Sequence, residues 1–146
     1  MNKGFTLIEI TIVMAIMGIL MSCSLVSLKY YKDMQNKMDV DYNCNAIVSF
    51  INNSKMYCKE NSCSAVITFD IQKKYLLLDR GLETVKELAI SENLTLLNFK
   101  GTQDENHIVI NRMGSTGYAV TITLEDKNED QYIITMGVGT VYVKKK

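Results

Sequence analysis

Residues 5–28 read Phe-Thr-Leu-Ile-Glu-Ile-Thr-Ile-Val-Met-Ala-Ile-Met-Gly-Ile-Leu-Met-Ser-Cys-Ser-Leu-Val-Ser-Leu, a run of 24 residues whose one charge is Glu9. As an α-helix this run would extend about 36 Å, at roughly 1.5 Å per residue. The hydrocarbon core of a bilayer is about 30 Å thick, so the run is long enough to cross it. We therefore expect residues 5–28 to be either a membrane-spanning helix or a cleaved export signal.

The rest of the chain has the composition of a globular domain. The 146 residues are 47% hydrophobic and 22% charged, with a formal net charge of +0. Residues 29–146 contain 15 of the 16 basic and 15 of the 16 acidic residues, because only Lys3 and Glu9 lie outside them. This balance gives no reason to expect nucleic acid or an anionic membrane surface as a partner. The length leaves room for one small domain behind the apolar helix.

Two kinds of cleaved signal compete with a retained helix. A secretory signal needs a site of small residues after its apolar core, but here the apolar run continues through Leu25 and Val26. A lipoprotein signal ends in the cysteine that is acylated, and Leu20-Met21-Ser22-Cys23 approximates such a site. Met21 is bulky where a small residue is expected, and Glu9 would be costly inside the apolar core. Acylation at Cys23 is the less favoured alternative.

The residues around the start of the apolar run resemble the prepilin signal of type IV pilins and pseudopilins. The matching stretch is Lys3-Gly4-Phe5-Thr6-Leu7-Ile8-Glu9. The resemblance implies that a membrane peptidase cuts after Gly4 on the cytoplasmic side and that the new N-terminus, Phe5, is methylated. Gly4 suits such a site because it has no side chain to obstruct its backbone. Lys3 stays inside by the positive-inside rule, which leaves the C-terminal domain outside.

The resemblance also gives Glu9 a role. A carboxylate near the end of a membrane helix costs on the order of 1–3 kcal/mol and needs a compensating interaction. The family resemblance implies that Glu9 pairs with the cationic amine of Phe5, in its own or a neighbouring subunit, and so sets the axial register of a filament. The alternative is that Glu9 lies at the headgroup level of an ordinary anchor. Since the chain has no proline, we expect a straight helix with Gly18 as its weak point.

Beyond Leu28 the apolar residues recur at helical spacing. The pattern predicts that the helix continues to about residue 57, giving roughly 50 residues over about 75 Å. We interpret the recurring residues as one face that packs in a core: Tyr31, Met34, Met38, Tyr42, Ile47, Phe50, Ile51 and Ser54. The predicted segments are a leader (1–4), a membrane or filament-core helix (5–28), its amphipathic continuation (29–57) and an extracytoplasmic β-rich domain (58–146).

The remainder of the chain predicts β-structure. Strands are expected at 65–69, 75–78, 94–99, 107–111, 118–124, 132–136 and 141–143, whereas 82–90 suits either a short helix or a strand. The fold class is α+β, a pilin-like long helix packed on an antiparallel β-sheet. Residues 108–117 and 136–141 resemble the C-terminal pattern of GspH/FimT-type minor pseudopilins. The D-type minor pseudopilin of Gram-positive competence systems is similar.

Three cysteines lie in the part expected outside, where oxidation is feasible. Cys58 and Cys63 are close in sequence and suggest a disulfide at the end of the helix, contributing roughly 2 kcal/mol on chain-entropy grounds. Cys44 would be about 21 Å from Cys58 along a straight helix, too far for a bond. A bond between Cys44 and Cys63 after a sharp turn, and free thiols throughout, both stay open.

The sequence contains no arrangement typical of catalysis. His107 is the one histidine, and no Cys/His metal spacing accompanies it. The pair of glycines Gly137 and Gly139 lacks the third glycine and the following helix of a dinucleotide-binding loop. We therefore expect no enzyme activity, cofactor or metal.

The function that the resemblance implies is that of a minor pilin or pseudopilin in a type IV pilus-like filament. Such a filament serves type II secretion, DNA uptake in competence or a type IV pilus. The implied partners are other pilin subunits, a prepilin peptidase, and an assembly platform membrane protein with its ATPase. The implied location is the cytoplasmic membrane and then a surface or periplasmic filament. The runner-up is a filament-tip subunit that binds DNA or a surface ligand, for which Lys144–Lys146 is the one basic cluster.

Overall fold

The computed structural model describes residues 6–100, 107–138 and 141–145; in 24–26 and 141–145 only the backbone is described. Within these ranges one helix is followed by eight strands. The elements are α1 Leu7–Glu60, β1 Ala65–Asp70, β2 Tyr75–Arg80, β3 Glu83–Ala89, β4 Leu94–Lys100, β5 His107–Ile110, β6 Val120–Asp126, β7 Gln131–Met136 and β8 Val141–Lys145. The chain divides into two compact units, Met1–Met38 and Asp39–Lys146.

The first unit contains the apolar half of α1. This part of the helix is long and apolar enough to cross a membrane, and its described side chains are exposed. The hydroxyls within it bond to the helix itself: Thr11 Oγ1 donates to the Ile8 carbonyl at 2.9 Å, and Ser22 Oγ donates to the Gly18 carbonyl at 2.8 Å. Internal hydrogen bonding of this kind lets polar side chains enter an apolar environment.

The second unit contains two antiparallel sheets rather than the single sheet expected from the sequence. One has the strand order β3-β2-β1-β5 and the other β4-β6-β7-β8. The chain enters the second sheet at β4, returns to the first at β5 and leaves again for β6. Of residues 82–90, which suited either helix or strand, Glu83–Ala89 form β3. The predicted fold class, a long helix packed on antiparallel β-structure, is confirmed.

The core of the second unit is built from one helix face and the inward residues of both sheets. Alternation is regular in β6, where Val120, Ile122 and Leu124 are buried. On the helix the buried residues follow steps of four and three, the spacing of one apolar face. They are Val40, Cys44, Ile47, Ile51, Ser54 and Cys58, and Phe50, next to Ile51, is buried as well. The two sheets and this helix face form a single hydrophobic cluster.

The first half of the predicted core face is exposed, so that interpretation was wrong. Tyr31 is 64% exposed, Met34 55%, Met38 63% and Tyr42 74%. Packing against the sheets begins at Val40, and Tyr42 lies two residues further, on the far side of the helix at about 100° per residue. Helical spacing identifies an apolar face but does not identify what covers it. We call Tyr31, Met34 and Met38, all in the first unit, the exposed stripe.

The connection from β5 to β6 packs against the last turns of α1. Asn111 Oδ1 accepts hydrogen bonds from the backbone N–H of Met113 at 2.9 Å and of Ser115 at 3.0 Å. Between them Gly114 adopts φ +71°, in the left-handed region. A Cβ atom at this position would collide with the Lys55 carbonyl oxygen and lie 3.1 Å from the Lys59 Cβ. Glycine is therefore required here both by conformation and by space.

Candidate assembly site

The N-terminus of α1 is capped by the side chains of Thr6 and Glu9. Thr6 precedes the helix, and its backbone N–H and its Oγ1 each donate to Glu9 Oε2 at 2.8 Å. In return, the Glu9 N–H approaches Thr6 Oγ1 at 3.4 Å. This reciprocal arrangement is a capping box, which satisfies N–H groups that the first turn of a helix leaves without partners. Glu9 thus has a local structural role at the end of the apolar helix.

The sequence reasoning missed the role of Thr6, although the signal was present. A threonine followed three residues later by a glutamate, ahead of an apolar run, is the sequence pattern of a capping box. The pairing of Glu9 with the Phe5 amine is a different interaction. Gly4 and Phe5 lie outside the described residues, so the cleavage site and that pairing stay predictions. The single Oε2 atom accepts both bonds from Thr6, which leaves Oε1 for another donor.

Two apolar surfaces of α1 are exposed. The first is the apolar half itself, in which Ile10, Val13 and Met14 line a groove beside Glu9. The second is the exposed stripe. Large exposed apolar areas are uncommon on soluble monomers and are typical of surfaces that contact a membrane or another protein.

The other predicted residues are dispersed. Cys23 is exposed within the apolar half of α1, and Cys44 is buried in the core. Burial, with a smaller contribution from Asp41, raises the pKa of the Cys44 thiol to about 11. His107 begins β5 and is half-buried. Of the basic cluster, residues 144 and 145 lie in β8, and Lys146 is outside the described residues.

The described parts of the chain contain no group of three or more His, Cys, Asp or Glu side chains that could hold a metal ion. A surface depression runs along the start of β2 and the residues after β3. It contains Lys74, but the Lys74 Nζ donates to the Glu92 carbonyl at 2.8 Å and to the Leu94 carbonyl at 3.1 Å. This lysine therefore ties two segments of the domain together.

Comparison with known proteins gives a motif match and a structural match. Residues 1–22 match the family model of the prokaryotic N-terminal methylation motif. The structure is similar to the minor pseudopilin EpsH from the type 2 secretion system of Vibrio cholerae, with a TM-score of 0.56 and 11% sequence identity. The similarity covers 72% of this chain and 95% of EpsH. No curated protein matches the chain in sequence.

The chain combines a methylation motif at residues 1–22 with a fold similar to that of a minor pseudopilin. The motif supports the predicted resemblance of the N-terminal residues to type IV pilin-like proteins, and the structural similarity confirms the predicted fold.

Proposed function

We propose that this protein is a structural subunit, and not an enzyme, of a type IV pilus-like filament. It is inserted in the cytoplasmic membrane with its N-terminus inside. A prepilin peptidase removes Met1–Gly4, and the new N-terminus at Phe5 is methylated. Residues 5–28 then form the membrane and filament-core helix, 29–57 its amphipathic continuation and 58–146 the external domain. A platform membrane protein and its ATPase add the subunit to the filament.

The observation that carries this proposal is the methylation motif at residues 1–22, which includes the first turns of an apolar helix whose described side chains are exposed. An apolar helix of this length needs either lipid or other helices around it. In a subunit that leaves the bilayer for a filament, the helices of neighbouring subunits replace the lipid around this helix. The similarity to a minor pseudopilin favours the same kind of assembly for this chain.

Within this proposal, Glu9 has two successive partners. Before assembly its Oε2 is held by Thr6. In the filament the carboxylate pairs with the Phe5 amine of a neighbouring subunit, which neutralises both charges within the apolar filament core. A pair of buried charges is favourable only when the two groups are correctly positioned. This contact therefore stabilises one axial register of neighbouring subunits over the others.

The decisive experiment is the mass of the mature protein from its native host. Maturation as proposed removes Met1–Gly4 and adds one methyl group. The lipoprotein alternative removes Met1–Ser22 and adds lipid at Cys23, which gives a very different mass. An intact Met1, or a lipid on Cys23, would refute the proposed maturation.

A pair of variants separates the two pathways genetically. Gly4→Ser introduces a side chain at the proposed cut site and is expected to leave unprocessed precursor in the membrane. Cys23→Ser, the matched control, is expected to be processed normally, because a serine is tolerated in the apolar helix as Ser22 is. Loss of processing in Cys23→Ser with normal processing in Gly4→Ser would favour acylation instead.

A further inference from the structure

The C-terminus of α1 ends in a turn that brings Cys58 and Cys63 together. The Cys63 N–H donates to the Cys58 carbonyl at 3.0 Å, and the Ser62 N–H approaches the Lys59 carbonyl at 3.4 Å. Ser62 itself adopts φ +47°. These features define a Schellman motif, in which a residue in the left-handed conformation reverses the chain after the last helical turn.

The two cysteines occupy the positions of this motif whose side chains usually make contact. In a Schellman motif the residue two positions before the last helical residue commonly forms an apolar contact with the residue three positions after it. Here these residues are Cys58 and Cys63, and a thiol–thiol hydrogen bond joins their side chains. The backbone N–H of Ala65, the first residue of β1, donates to the Cys58 sulfur. Both sulfurs are thus held at the junction between α1 and β1.

The two thiols differ in access to solvent. Cys58 is fully buried, whereas Cys63 is partly exposed. Burial, followed by the charge and hydrogen bond of Cys63, raises the pKa of the Cys58 thiol to about 11. Cys44, the other buried cysteine, is 14 residues earlier on the same helix, or about 21 Å away. Its neighbours include Asp41 and Tyr132.

We propose that Cys58 and Cys63 are an oxidisable pair whose disulfide locks the end of α1 to the start of β1, and that Cys63 reacts first. Its thiolate attacks a disulfide of a small molecule or another protein, which gives a mixed disulfide and releases one thiolate. Cys58 then loses its proton and attacks the Cys63 sulfur, which releases the second thiolate. The pair loses two electrons and two protons in total, and the external disulfide is reduced to two thiols.

This inference does not depend on the filament role, because it concerns the turn alone. The Schellman motif leaves the last helical turn held by backbone hydrogen bonds that can fray. A covalent bond between the same two residues removes that freedom. The 3.0 Å hydrogen bond from the Cys63 N–H to the Cys58 carbonyl already holds the backbones of the two residues together while both thiols are reduced.

The test uses the full-length chain, reduced and then transferred in detergent to buffer with oxidised glutathione. The reaction is stopped in denaturant with iodoacetamide, and the intact mass gives the number of alkylated cysteines. We expect two fewer alkylated cysteines than in the reduced sample. Trypsin cuts after Lys59, so the bond should join two peptides that separate on reduction. Four alkylated cysteines after oxidation, or a bond that includes Cys44, would overturn the proposal.

Single-cysteine variants test the order of attack. Cys58→Ser should accumulate a glutathione adduct on Cys63, whereas Cys63→Ser should form an adduct on Cys58 at least about tenfold more slowly, because Cys58 is buried. Equal rates would contradict the proposed order. Cys44→Ser and Cys23→Ser are the matched controls and should still form the Cys58–Cys63 bond.

Discussion

At the scale of the residue, Glu9 combines hydrogen bonding with charge. The capping box with Thr6 uses the carboxylate as an acceptor. The proposed contact with a Phe5 amine uses its negative charge. Substitutions can separate these two properties, because glutamine keeps an acceptor oxygen and loses the charge.

We expect Glu9→Gln to be nearly as defective in filament incorporation as Glu9→Ala, because both remove the charge. Thr6→Val removes the cap hydroxyl but keeps the charge, so it should incorporate well, with a helix end weakened by about 1 kcal/mol. The measurement is the amount of protein in the sheared filament fraction against the membrane fraction. Normal incorporation of Glu9→Gln would mean that capping is the whole role of Glu9.

Gly114 is constrained in a different way, by close packing. Gly114→Ala should lower the free energy of unfolding by about 2–4 kcal/mol, because it adds backbone strain and a collision with the Lys55 carbonyl. Gly81→Ala is the matched control: its φ is +67° but a Cβ there meets nothing within 4 Å, so only about 1–2 kcal/mol of strain is expected. Urea unfolding followed by tyrosine fluorescence measures both. Equal losses would show that space at Gly114 is unimportant.

At the scale of the element, α1 presents different faces along its length. The period of its apolar residues predicted a helix to about residue 57, and it ends at Glu60. Strand positions followed from alternation, as in β6. The pairing of the strands into two sheets could not be predicted in this way, because alternation shows which residues face inward and not which strands are neighbours. The left-handed conformation of Ser62 was also unpredicted, since glycine normally marks that conformation.

The exposed stripe supports a prediction at this scale. If it contacts neighbouring subunits, Met34→Ser and Met38→Ser should reduce filament incorporation several-fold. They should change the free energy of unfolding by less than about 0.5 kcal/mol, because neither side chain is in the core. Ile47→Ser, on the buried face, is the comparison and should instead destabilise the domain by more than about 2 kcal/mol. Unchanged incorporation of both stripe variants would exclude this contact.

At the scale of the whole molecule, the core of the second unit contains groups that titrate at high pH. Burial raises the pKa of Tyr132 to about 12, from an ordinary 10.0, and the pKa values of Cys44 and Cys58 to about 11, from 9.0. Folding thus favours their protonated forms. Their stabilisation is complete below the ordinary pKa and is lost as the pH rises toward the raised value.

We therefore expect the urea midpoint to fall as the pH rises from 9 toward 12. Lys55 contributes with the opposite sign, because burial lowers its pKa. Tyr132→Phe removes one titrating group at nearly constant volume, so its midpoint should fall less between pH 9 and 11 than that of the unchanged protein. A parallel decline in the two proteins would show that Tyr132 does not contribute.

The interleaving of the strands has a kinetic consequence. β4 belongs to the second sheet, although β3 and β5, its neighbours in the chain, belong to the first. The shared core also needs residues of β6 and β7, close to the C-terminus. A partly folded N-terminal portion therefore lacks much of the core and is not stable by itself. We expect the domain to unfold in one cooperative transition and to refold slowly for its size. The proposed membrane insertion passes this domain across the bilayer as an unfolded chain, and slow folding keeps the part still inside unfolded during that passage.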